Sequence, residues 1–167
     1  MSIVLPTAKV QKLKDVEKGS LISIYVRTHN AEGTAIAIRA ERAGDHSPVA
    51  VAIEGDKDRR VASLVPAKPD TDVLVHGRNW SLDADPRDWV ADFGFVTFGN
   101  DCSGLLLIGD EGKRGLVVST GIACCYLNLD AWTVHDPNSE SYVRTGKWNI
   151  AIPSNGPDET EWLFPMQ

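Results

Sequence analysis

Ile22-Ser23-Ile24-Tyr25-Val26-Arg27 sets an aliphatic side chain at every second position, with a hydroxyl, a phenol and a guanidinium between them. Successive side chains of an extended backbone point to opposite faces, so this spacing makes one apolar and one polar surface. A helix would need its apolar residues three and four apart. The same rhythm recurs along the chain. Ile36 and Ile38 alternate with Ala37 and Arg39, and Val49, Val51 and Ile53 alternate with Ala50, Ala52 and Glu54. Val73 with Val75 and the segments 93–98, 105–108, 116–119 and 122–129 continue it.

The breaks between these segments carry turn chemistry. Asn30-Ala31-Glu32-Gly33, Gly44-Asp45 and Glu54-Gly55-Asp56-Lys57-Asp58 separate the early strands, and Gly109-Asp110-Glu111-Gly112 reads as a hairpin loop. Gly and Asp tolerate the positive φ that such loops need. Short polar connections leave no room for crossover helices. The pattern therefore predicts an all-β fold, a mostly antiparallel β-barrel or β-sandwich of roughly eight to eleven strands with one or two short helical turns. Residues 8–16 read either as two helical turns or as an edge strand. Asp85-Pro86 is an N-cap followed by proline at the first helical position, which predicts one turn there. Residues 154–164 read as a short C-terminal helix.

The chain has 167 residues, the size of one ordinary domain, and is read as a single β domain over 1–167. A candidate sub-boundary lies near 66–72, where Pro66 and Pro69 interrupt the pattern. With 43% apolar and 24% charged residues the composition excludes disorder, collagen and coiled coil. No apolar run reaches the ~20 residues of a membrane helix, and the N-terminus lacks the basic and apolar regions of a signal peptide, so a cytoplasmic protein is expected.

A net charge of −6 argues against nucleic acid as a partner, because phosphates call for a basic face. The charge is unevenly spread. Residues 1–79 carry 12 basic and 10 acidic side chains, a net +2, whereas residues 80–167 carry 5 and 13, a net −8. Eleven of the twelve aromatic residues also lie from Trp80 onward. The second half thus reads as an acidic, aromatic surface available to a partner.

Asp101-Cys102-Ser103-Gly104-Leu105 resembles the segment around the nucleophile of the NlpC-type cell-wall cysteine peptidases, over five residues. The resemblance implies a thiolate at Cys102 at the start of a helix, with a downstream histidine as its base. Here the residues after Cys102 stop at strand length, and the only later histidine is His135. A buried or edge-strand cysteine is the reading preferred, and catalysis by Cys102 with His135 or His76 is the alternative.

Cys124 and Cys125 are adjacent, so alternation sends one sulfur inward and one outward and prevents them from sharing a metal or forming a redox pair. With an odd number of cysteines, reduced thiols are expected rather than disulfides. No metal-binding motif joins His29, His46, His76 and His135, and no phosphate loop follows a strand. No metal or cofactor is expected. Asp83-Ala84-Asp85-Pro86-Arg87-Asp88 lacks the glycine and glutamate of a calcium loop and reads as a capped turn. Trp80, Trp132 and Trp148 remain as a candidate stacking platform for a ligand, against the alternative that the five tryptophans fill the core. The function expected is a non-enzymatic binding or assembly module. Its partners are another protein or a second copy, with room for a small ligand, and neither nucleic acid nor membrane.

Overall fold

The computed structural model describes residues 9–27, 32–56, 58–92, 103–136, 142–153 and 160–162. Their strands are β1 (Lys9–Lys12), β2 (Leu21–Arg27), β3 (Glu32–Arg42), β4 (Pro48–Asp56), β5 (Arg59–Val65), β6 (Asp72–Gly77), β7 (Ser81–Asp83), β8 (Val90–Asp92), β9 (Leu106–Gly109), β10 (Arg114–Ser119), β11 (Cys124–Asn128), β12 (Thr133–His135), β13 (Tyr142–Thr145), β14 (Asn149–Pro153) and β15 (Thr160–Trp162). The protein is all-β.

Six strands close into a barrel. Antiparallel pairing runs from β3 to β4 to β5, and from β10 to β11 to β12. Two parallel seams join these triplets, at Ser119 opposite Ser63 and at Thr133 and Val134 opposite Glu41 and Arg42. Strand direction follows from this pairing: β3, β5, β10 and β12 all end at the same mouth of the barrel. Outside the ring, β2, β6 and β1 extend the sheet from β3, while β9, β13 and β8 extend it from β10. Strands from both sides of the 66–72 stretch therefore share one sheet. A separate three-stranded sheet, β15-β14-β7, lies off this path.

The alternation seen in the sequence is the division between cores. Ile36, Ile38, Val49, Val51, Ile53, Ala62, Leu116, Val118, Cys125, Leu127 and Val134 pack together inside the barrel. On the other face of β3 and β4, Ala37, Ala50 and Ala52 are buried too, under Ile22, Ile24, Val73, Val75, Leu13 and Val16. Alanine suits that face because a second layer of aliphatic side chains approaches it closely. Leu107, Val117, Cys124 and Tyr126 form a third cluster on the outer side of β9, β10 and β11. Cys124 and Cys125 do point to opposite faces, but both faces are buried, so neither thiol is outward to solvent.

Local expectations fare unevenly. Residues 9–12 are the edge strand of the two readings offered, followed by a single 3-10 turn at Leu13–Asp15. Pro86–Asp88 is the expected capped turn, with the Asp85 carboxylate accepting from the Arg87 N–H at 2.9 Å. Gly109–Gly112 joins the β9–β10 hairpin, with positive φ at Glu111 and Gly112. Of the helix expected over 154–164, Thr160–Trp162 is strand, because it pairs with β14, and the rest lies outside the described residues. Ile122 lies outside β11 and is 92% exposed. The strand expected at 93–98 lies outside the described residues. No helix among the described residues is long and apolar enough to cross a membrane.

Candidate functional site

The end of the barrel opposite the mouth is plugged. Trp148 and Ile150, at and beside the start of β14, are 2% and 0% exposed and pack into the barrel core, with Leu82 of β7 and the half-buried Trp80, Trp89 and Trp132 against it. The Trp148 indole N–H donates to the Gly104 carbonyl at 2.7 Å. Arg60 ties this plug to the barrel. Its guanidinium is buried and donates to the Trp148 carbonyl at 3.1 Å, to Asn149 Oδ1 at 2.8 Å and to the Gly55 carbonyl at 2.5 Å. Burial pulls its pKa below the usual arginine value, with Asp56 opposing the shift. Gly104 has φ +86°, and a Cβ there would fall on the Arg60 carbonyl, so only glycine lets the chain cross β5 at this point.

Over this plug lies a cleft of about 540 Å³. Trp148 and Asn149 form part of its wall, and Asp58, Asp83, Asp85, Asp88, Arg87 and Lys147 bring charge to it. Asp85 pairs with Arg87, whose hydrogen bonds hold its carboxyl at about 2. Asp88 faces Lys147 at 3.6 Å. The carboxylates of Asp58 and Asp83 have no ion pair or side-chain hydrogen bond among the described residues. Among the described residues two negative charges are thus left unpaired, Asp83 from the acidic half of the sequence and Asp58 from the other.

The structure separates the other candidates. Trp80 and Trp132 are brought together, with ring centroids 5.5 Å apart, and the Trp80 N–H donates to the Gly19 carbonyl at 2.8 Å. Trp148 is enclosed, so it offers no face for stacking and does not join them as a platform. Cys102 lies outside the described residues. The Ser103 and Gly104 that follow it form a turn and not a helix. The Ser103 hydroxyl donates to the Ala62 carbonyl at 2.6 Å and accepts from the Ala62 N–H at 3.2 Å, which pins the turn to β5.

His76 and His135 are not neighbours. The sheet order places β2 and β3 between their strands, a separation of about 14 Å at the usual strand spacing. His76 Nε2 lies 2.7 Å from the Ser23 hydroxyl, and burial lowers its pKa. His135 Nδ1 lies 2.8 Å from the Asp136 carbonyl, with its ring against Tyr126. Burial pushes the Cys125 thiol up to about 11, which keeps it protonated and poorly nucleophilic at neutral pH. No group of three or more metal-ligating side chains occurs among the described residues.

The acidic cleft went unread in the sequence because its carboxylates come from the β4–β5 turn, β7 and the turn after it. Only the run 83–88 carries a signal in the sequence, and that signal is of a capped turn. Models of known protein families, curated proteins and solved structures give no match to this chain.

Proposed function

We propose that the protein is a non-enzymatic binding module whose acidic cleft takes up a cationic group, a lysine or arginine side chain of a protein partner. One observation carries this reading: Asp58 and Asp83 bring carboxylates without an ion pair among the described residues to the cleft over the plug, where their neighbours Asp85 and Asp88 already have partners. An ammonium or guanidinium entering there replaces its hydration with charge-assisted hydrogen bonds against a rigid wall of Trp148 and Asn149. The barrel supplies that rigidity through the Arg60 contacts.

Hexalysine titrated into the full chain, with the affinity followed against salt, tests the reading. Binding is expected to weaken with ionic strength and to fall by about tenfold or more in the double variant Asp58→Asn with Asp83→Asn, as two charge-assisted contacts are lost. A distant pair, Asp70→Asn with Asp72→Asn, removes the same charge and should leave binding within about twofold. Equal losses from the two double variants, or no binding by the parent chain, would overturn the proposal.

A further inference from the structure

The open mouth of the barrel is chemically unlike the plugged end. The carboxyl ends of β3, β5, β10 and β12 converge there, and a cleft of about 330 Å³ opens between them. Leu64, Cys125 and Val134 form its floor, and the same three side chains belong to or pack against the barrel core. A ligand in this cleft therefore meets the apolar interior directly.

The rim is polar and of mixed charge. Thr120 is engaged within its own loop, its hydroxyl donating to the Ala123 carbonyl at 3.1 Å, and His135 Nδ1 faces the Asp136 carbonyl. Arg42 and Asp136 remain. Both are exposed, they form no ion pair with each other, and neither side chain has a hydrogen-bond partner among the described residues. Both also act on the Cys125 thiol in the cleft floor, in opposite directions, which puts one charge of each sign beside the same apolar surface.

We propose that the barrel mouth is a binding site for a small zwitterion with an aliphatic body, of the kind a free branched-chain amino acid presents. The carboxylate would sit on the Arg42 guanidinium, which suits planar two-point recognition. The ammonium would sit on Asp136, and the aliphatic side chain would cover Leu64, Val134 and Cys125. The volume is that of about eleven waters, which matches a ligand of this size. Mouths of β-barrels are also recurrent places for small-molecule sites. This site is independent of the acidic cleft.

The test is titration of the full chain with L-leucine, octanoate and hexylamine, followed by calorimetry and by amide chemical shifts. L-leucine is expected to bind more tightly than either singly charged probe, with shifts centred on residues 42–43, 64, 120 and 134–136. Arg42→Gln and Asp136→Asn should each weaken L-leucine by about tenfold, the effect of one charge-assisted hydrogen bond. Both side chains are exposed, so the fold should persist, and an unchanged amide spectrum of each free variant checks that. Asp58→Asn with Asp83→Asn should leave L-leucine binding intact. Octanoate or hexylamine matching L-leucine, affinity unmoved by either rim variant, shifts lying elsewhere, or no binding at all would each overturn the assignment.

Discussion

Replacing Arg60 with methionine removes the guanidinium while keeping most of the apolar stem. Three donors are lost, and the carbonyls of Gly55 and Trp148 and the side-chain oxygen of Asn149 lose their shared partner. A hydrogen bond to a charged group contributes about 1.5–3 kcal/mol, and a buried acceptor left alone costs about 1–3 kcal/mol. These do not add in full, because Asn149 lines the acidic cleft and regains water there. Methionine also avoids the cost of burying a charge, which offsets part of the loss. About 3–5 kcal/mol of destabilisation remains, chiefly from the Gly55 and Trp148 carbonyls left alone at about 1–3 kcal/mol each. For 167 residues this lowers the melting midpoint by roughly 6–20 °C. Urea unfolding followed by tryptophan fluorescence measures the loss directly, since the plug contains Trp148. A loss under about 1 kcal/mol with unchanged m would refute Arg60 as the tie between plug and barrel.

Gly104→Ala should destabilise by about 1–3 kcal/mol or more, since it combines an unfavourable positive φ with a clash against the Arg60 carbonyl, and thermal melting reads this out. His76 has its pKa lowered from 6.5 by burial, so the unfolded chain binds its proton first. Its contribution is complete above about pH 6.5 and is lost as pH falls below that value. In His76→Asn the slope of unfolding free energy against pH should flatten there, which urea titrations at several pH values detect. Cys125, held at about 11, should resist iodoacetamide at neutral pH in the native protein and react once urea unfolds it; mass spectrometry of the labelled peptide distinguishes the two. The Asp85 carboxyl should titrate near pH 2 by NMR, because Arg87 hydrogen-bonds its ionised form.

What the sequence revealed of the fold was whatever period-two alternation could carry. It showed β2, β3, β4, β6, β9, β10 and β11, whose inward aliphatics face cores rather than solvent. It passed over β5 because Arg59-Arg60-Val61-Ala62-Ser63 looks polar, whereas Arg60 points inward on the same side as Ala62 and spends its donors on carbonyls. The parallel seams were equally hidden. Ser63 opposite Ser119 is a pairing between residues far apart in sequence, and nothing in either segment specifies its partner or direction.

The site was less legible for the same reason. Trp148 and Trp80 look alike in sequence, each among polar neighbours, yet one closes the barrel and the other packs half-buried on Trp132. Asp85 is legible in the sequence as a cap and is one, but its place on the rim of a cleft depends on β7 and the β4–β5 turn meeting in space. The charge asymmetry between halves points to Asp83, Asp85 and Asp88 but not to Asp58, which lies in the half of net charge +2.

Both clefts exist only if the six strands close on themselves. Proton–proton Overhauser contacts on uniformly labelled protein address that closure directly, at Ser63 with Ser119 and at Arg42 with Val134. The closed barrel predicts cross-strand contacts of parallel pattern at both seams, with slowly exchanging amides on each side. Edges at β5 and β12 that exchange freely and show no such contacts would contradict it.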